Sequence, residues 1–108
     1  MNDMKFSEAV ERSLRIRQLY HQLERRYHEQ EWTVEEDALA FLTDAGLVGR
    51  LTMSQQGRWP VPGETESELE HKLGECVWWL IILAERLDMD VGRAVEQFLT
   101  KTENLLAD

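Results

Sequence analysis

Lys72-Leu73-Gly74-Glu75-Cys76-Val77-Trp78-Trp79-Leu80-Ile81-Ile82-Leu83-Ala84 decides the fold of this chain. The run from Cys76 to Ala84 has no polar face, so a helix here must be buried nearly all round. At nine residues it is too short to span a bilayer. A chain of 108 residues rarely hides such a helix inside a monomer. The stretch therefore predicts a helical bundle and a partner subunit.

The flanking sequence reads as three more helices. The first is expected from Ser7, as N-cap, to about Glu29, with Val10, Leu14, Leu19, Tyr20, Leu23 and Tyr27 as its apolar stripe and Ile16 off the edge. The second opens at the capping box Thr33-Val34-Glu35-Glu36. Val34, Ala38, Phe41, Leu42, Ala45, Val48 and Leu51 follow at helical spacing. Gly46 and Gly49 interrupt that pattern, at roughly 1 kcal/mol each against Ala. They require a reason, such as a close helix contact or a site. Ser54 to Gly63, with Gly57, Pro60 and Pro62, reads as a loop. A second capping box, Thr65-Glu66-Ser67-Glu68, opens the third helix. Its expected core stripe is Leu69, Leu73, Cys76, Val77, Leu80, Leu83, Ala84 and Leu87. A tight turn at Leu87-Asp88-Met89-Asp90 leads to the fourth helix, with Asp90 as N-cap. That helix carries Val91, Ala94, Val95, Phe98, Leu99 and Leu105 or Leu106. No segment alternates for long enough to predict a sheet. The expected architecture is one all-α domain.

Charge narrows the function. Twenty-one acidic and 12 basic residues give a net charge of -9. That argues against nucleic acid and against anionic membranes, both of which favour basic surfaces. The single cysteine, Cys76, has no internal partner and reads as a small core hydrophobe. Its solitary state fits a reducing compartment, and the cytoplasm is the expected location. Met1 to Phe6 has no basic region followed by an apolar stretch, so no signal peptide is expected.

Four helices in this order, with Gly-Glu leading into a Trp-rich apolar helix and then Leu-Asp-Met-Asp, resemble the MazG-like nucleotide pyrophosphohydrolases. The resemblance covers roughly residues 8 to 106 and is best from Lys72 to Asn104. It implies a four-helix MazG-like bundle completed as a homodimer or homotetramer through the third helix. In that family the third helix opens with Glu-Leu-Gly-Asp. Lys72-Leu73-Gly74-Glu75 fills that place here. The family's second helix carries Glu-Glu, two further residues and Glu, with glycine before the last. Anchored on Gly46, the matching residues are Thr43, Asp44 and Leu47.

The family uses such carboxylates to hold Mg²⁺, which bridges a triphosphate and activates water. Here only Asp44 and Glu75 remain acidic, so the resemblance implies them as the catalytic and metal-binding pair. Lys72 would repel a cation at its position. Its ammonium is expected to stand in for the metal, pairing with Asp44 or Glu75.

Glu68, His71 and Glu75 share one helix face at i, i+3 and i+7, and Glu68 is the substitute acid for a metal. The alternative is that acids near a helix start complement its dipole. Asp37 and Asp44 share a face of the second helix. The first helix gathers Arg12, Arg15, Arg17, Arg25 and Arg26, as a phosphate-facing surface or a solvated face paired with its own glutamates. Arg58 and Trp59 either meet a phosphate and a base or anchor the loop. Lys72, His71, Lys101 and Asn104 complete the expected nucleotide contacts.

Three functions follow. One is a family member with a nucleotide pocket and weak or lost catalysis. Another is an active Mg²⁺-dependent pyrophosphohydrolase using substituted acids. The third is an oligomeric interaction or regulatory module.

Overall fold

The computed structural model describes residues 3–107. Met1 and Asn2, read above for a signal peptide, and Asp108 lie outside the described residues. Four helices follow one another: α1 (Phe6–His28), α2 (Val34–Gln55), α3 (Thr65–Arg86) and α4 (Val91–Leu106). The described residues contain no strand. None of these helices is long and apolar enough to cross a membrane.

Local chemistry sets the helix ends. Thr33 and Glu36 form the full capping box: the Thr33 hydroxyl accepts the Glu36 N–H at 3.1 Å, and the Glu36 carboxylate accepts the Thr33 N–H at 2.8 Å. Asp90 caps α4 by accepting the Arg93 N–H at 3.0 Å. The other two starts differ from expectation. α1 begins at Phe6, one residue before Ser7, with no side-chain cap at Lys5. Thr65 is already helical, and its hydroxyl lies 3.4 Å from that of Ser54.

Two helices end in Schellman turns. After α2, Arg58 N–H reaches the Met53 carbonyl and Gly57 N–H the Ser54 carbonyl, with Gly57 at φ 80°. After α3, Met89 N–H reaches Ala84 and Asp88 N–H reaches Glu85, with Asp88 at φ 59°. Aspartate is among the few side chains that tolerate this left-handed conformation.

The chain divides into two compact units, with the boundary inside α3. Unit two, Trp32–Leu80, holds α2 and most of α3. The inward face of α2 is Val34, Asp37, Phe41, Asp44, Val48 and Leu51, at alternating steps of three and four. Asp37 is 0% exposed and Asp44 9%. From α3, Trp79 is buried, stacked 6.4 Å from Trp32 and edge-on to Trp78 at 4.8 Å.

Unit one, Met1–Glu31 with Ile81–Asp108, holds α1, the end of α3 and α4. Ile81 and Ile82 are its apolar centre. α1 turns polar groups inward: Ser13 and Arg17 are buried, and His21 and Glu24 are half-buried. The Ser13 hydroxyl bonds the Ala9 carbonyl at 2.7 Å, and Arg17 pairs with Glu24 at 3.3 Å. These internal partners lower the cost of burying polar groups.

The apolar stripes expected to form the core differ from those buried. Leu19, Tyr20, Leu23 and Tyr27 of α1 are exposed, as are Val95, Phe98 and Leu99 of α4. On α3, Leu73, Val77 and Leu80 are exposed, as is Leu87 just beyond it, while Trp79, Ile81 and Ile82 are buried. The Cys76–Ala84 run is thus buried on one side rather than all round. α1 carries two stripes with helical period, and the polar one of Ser13 and Arg17 is the one buried.

Two stability predictions follow from these contacts. Thr33→Ala should cost about 1 kcal/mol in denaturant unfolding, since it orphans the Glu36 N–H. His21 is held below the ordinary histidine value by burial, then by the Arg17 charge, with Nδ1 3.5 Å from Glu31. The unfolded chain therefore binds that proton first, and stability falls as pH drops below about 6.5. His21→Gln should flatten this part of the stability–pH curve. An identical slope in parent and variant refutes the assignment.

Candidate functional site

Asp44 is the centre of a charged cluster that joins α2 to α3 in unit two. The period of α3 brings Lys72, Glu75 and Trp79 to one face, three and four residues apart. The Lys72 ammonium donates to Asp44 Oδ1 at 3.0 Å and to Glu75 Oε1 at 2.9 Å. The second oxygen of Asp44 accepts Trp79 Nε1–H at 2.8 Å. Both carboxylate oxygens of Asp44 are thereby engaged, one by a charge and one by a neutral donor.

The electrostatics follow from these contacts. Hydrogen bonds to Glu75 and then Asp44 hold the Lys72 ammonium above the ordinary lysine value, against a smaller opposing effect of burial. Lys72 is charged throughout the neutral range and serves as neither base nor nucleophile there. Burial, then the charges of Asp44 and Glu75, pushes the Cys76 thiol up. Cys76 is therefore a poor nucleophile. Two carboxylates around one ammonium leave a net charge of about one negative unit.

The donor set does not fit Mg²⁺. The position between Asp44 and Glu75 is filled by a cation of the chain itself. Mg²⁺ needs near-octahedral oxygen ligands. Among the described residues no group of three or more His, Cys, Asp or Glu side chains is arranged to hold a metal ion. Glu68 is exposed in the first turn of α3. His71 is exposed and reaches only the rim, with Nε2 3.8 Å from Glu75 Oε1.

The remaining expected residues are dispersed. Thr43 points outward and bonds the Leu39 carbonyl of its own helix at 3.0 Å, and Leu47 is also exposed. Of the three matched positions on α2, only Asp44 faces inward. Arg58 lines a surface depression with Thr52, Met53 and Gln56. Trp59 is covered by the Arg50 guanidinium, 3.5 Å from the ring centroid. Arg50 also donates to the Trp59 carbonyl, which secures the loop. Lys101 and Asn104 belong to unit one, where they line a groove of about 580 Å³ on α4 with Glu96, Gln97, Thr100 and Leu105.

Two contributors were not expected from sequence. Arg50 has no motif to announce it, because it acts on a ring and a carbonyl nine residues on. Trp79 reads as a plain core aromatic until its N–H is seen on Asp44. Family models, curated proteins and solved structures give no match to this chain.

Removing Asp44 leaves the Trp79 N–H without its acceptor and Lys72 with Glu75 alone. Fully buried pairs cost roughly 3–5 kcal/mol when one partner is removed. Lys72 is still a quarter exposed, so Asp44→Ala should cost about 2–3 kcal/mol. Replacing both partners (Asp44→Leu with Lys72→Met) should recover only part of that loss in urea unfolding, because the Trp79 N–H stays without an acceptor. The raised Lys72 value means that its contribution is complete at neutral pH and is lost as the pH rises above the ordinary lysine value.

Proposed function

We propose that this chain is a MazG-like helical protein in which Lys72 has replaced the divalent cation, leaving a nucleotide-binding site with weak or lost hydrolysis. The observation that carries this reading is the position of the Lys72 ammonium, 3.0 Å from Asp44 and 2.9 Å from Glu75. Those two acids occupy the places the resemblance assigns to metal ligands. A monovalent, chain-borne cation satisfies them but offers no open coordination position for water or phosphate. Hydrolysis of the family type would then lack its Lewis acid.

Lys72 is already neutralised by two carboxylates, so it has little charge to give a phosphate. Within the same unit, Arg58 is an exposed guanidinium suited to that contact. Trp59, 64% exposed beside the Arg50 guanidinium, is the aromatic available for a base. The ligand class we assign is a nucleoside triphosphate engaged without metal.

A second reading, a helical interaction module, draws support from the exposed apolar residues of α1 and α4. One panel separates the two. Nucleoside triphosphates should raise the thermal midpoint of the parent chain equally with and without Mg²⁺ or Mn²⁺. A shift that requires metal restores the active-enzyme reading, and no shift with any nucleotide leaves the interaction module. In parallel, Lys72→Glu puts three acids together and should lower stability without metal. Mn²⁺ should restore that variant while leaving the parent unchanged. A Lys72→Glu chain indifferent to Mn²⁺ and Mg²⁺ refutes the replacement.

A further inference from the structure

Trp59 stands in a conformation that its own sequence disfavours. Its φ is 54°, in the left-handed region that a bulky side chain rarely enters. The next residue is Pro60, and a proline favours extended backbone at the position before it. Two local preferences are overridden at one residue. Such strain persists only where surrounding contacts over-determine it, and it collects at ligand clamps and similar sites.

The contacts that hold Trp59 come from the last turns of α2, within unit two. The Arg50 guanidinium lies 3.5 Å from the centroid of the Trp59 ring and donates to the Trp59 carbonyl. Just before the ring, the Arg58 N–H reaches the Met53 carbonyl at 2.8 Å. Just after it, the Val61 N–H reaches the Ser54 hydroxyl at 3.1 Å. The loop is tied down before, at and after Trp59.

The clamp does not bury what it holds. Trp59 stays 64% exposed, while Arg50 is half-buried. A ring that only anchored the loop would turn inward, as Trp79 does at 7% exposed. Here the guanidinium backs one face of the ring, and the opposite face is open to solvent. The surroundings suit a ligand that carries negative charge. Residues 45–63 form the longest stretch of this chain without an acid, in a sequence that has 21. The charged residues of that stretch are Arg50 and Arg58.

We propose that Arg50 is the positioning residue of a stacking platform: it fixes Trp59 so that the free ring face takes the base of a nucleotide, selected by ring area rather than by its hydrogen-bonding edge. This rests on the nucleotide reading above and adds which part of the nucleotide is read. Every base has a π-face that can stack on an indole. The residues that follow Trp59 are Pro60, Val61, Pro62 and Gly63, whose side chains carry no donor or acceptor for a base edge. Adenine and guanine should therefore bind alike, and the smaller pyrimidines less well. Arg50 acts through the ring and makes no contact with the ligand.

Calorimetric titration of the full chain in EDTA tests this, with ATP, GTP, CTP, UTP and inorganic tripolyphosphate as probes. For the parent, ATP and GTP should agree within about twofold, CTP and UTP should bind about threefold more weakly, and tripolyphosphate about tenfold more weakly. Arg50→Met should weaken ATP about tenfold and leave tripolyphosphate unchanged, with helical circular dichroism intact. Trp59→Ala should show the same loss, and adding Arg50→Met to it should cost nothing more. Trp59→Ala, in an exposed loop, carries the test alone should Arg50→Met fail to fold. Nucleotides that bind the parent no better than tripolyphosphate overturn the platform and leave the nucleotide site standing. So does an Arg50→Met chain that binds ATP as the parent does, or one that loses every probe equally. A parent that binds none of the probes overturns the platform and the nucleotide reading together.

Discussion

A carboxylate withdrawn from water must find partners or lose its charge, and unit two is organised around that requirement at Asp44. Its two oxygens are satisfied from two directions, by an ammonium and by an indole N–H. Those bonds fix the rotation of α2 about its own axis. Once Asp44 faces α3, residues seven before and seven after it must also face inward, which accounts for Asp37 and Leu51. The same rotation sends Leu39, Leu42, Gly46, Gly49 and Met53 outward. One polar contact thus decides which apolar residues the chain keeps and which it presents.

An ammonium is a different occupant from a metal ion. It is tethered by its own backbone, so it does not exchange with solvent. It brings one positive charge and a small set of donors, where a divalent ion brings two charges and vacant coordination positions. Such a cation stabilises two neighbouring acids without polarising a bound substrate. The arrangement has a further electrostatic effect. With Lys72 raised and Cys76 suppressed, both of the usual non-acidic nucleophiles near Asp44 are silent at neutral pH.

Much of the local structure was legible in the sequence. Thr33 and Glu36, Asp90, and the turn at Leu87–Asp90 carry their signals in adjacent residues, and the helix boundaries follow. The pairing of Lys72 with Asp44 or Glu75 was expected from the resemblance, which puts the three residues at one site. The structure gives it both partners. Helix rotation was not legible. In α1, Ser13, Arg17, His21 and Glu24 have the same period as Leu19, Tyr20, Leu23 and Tyr27. Hydrophobicity favours burying the second set, yet the first set is turned inward. Periodicity reports that a stripe exists. It does not report whether the stripe faces its own chain or an external partner. Arg50 escaped for another reason: a guanidinium acting on a ring and a carbonyl leaves no pattern of charges to read.

The solitary thiol gives the chain a built-in reporter. Cys76 is half-buried within one turn of both Glu75 and Trp79. Its surroundings keep it protonated, and only the thiolate reacts readily with electrophiles. A reagent in solution therefore modifies it slowly while Asp44 and Lys72 are joined. Each separation of α2 from α3 would bring the sulfur into water and return it to ordinary reactivity. The rate at which this sulfur is consumed is thus a clock for the opening of unit two, readable without adding any label to the chain.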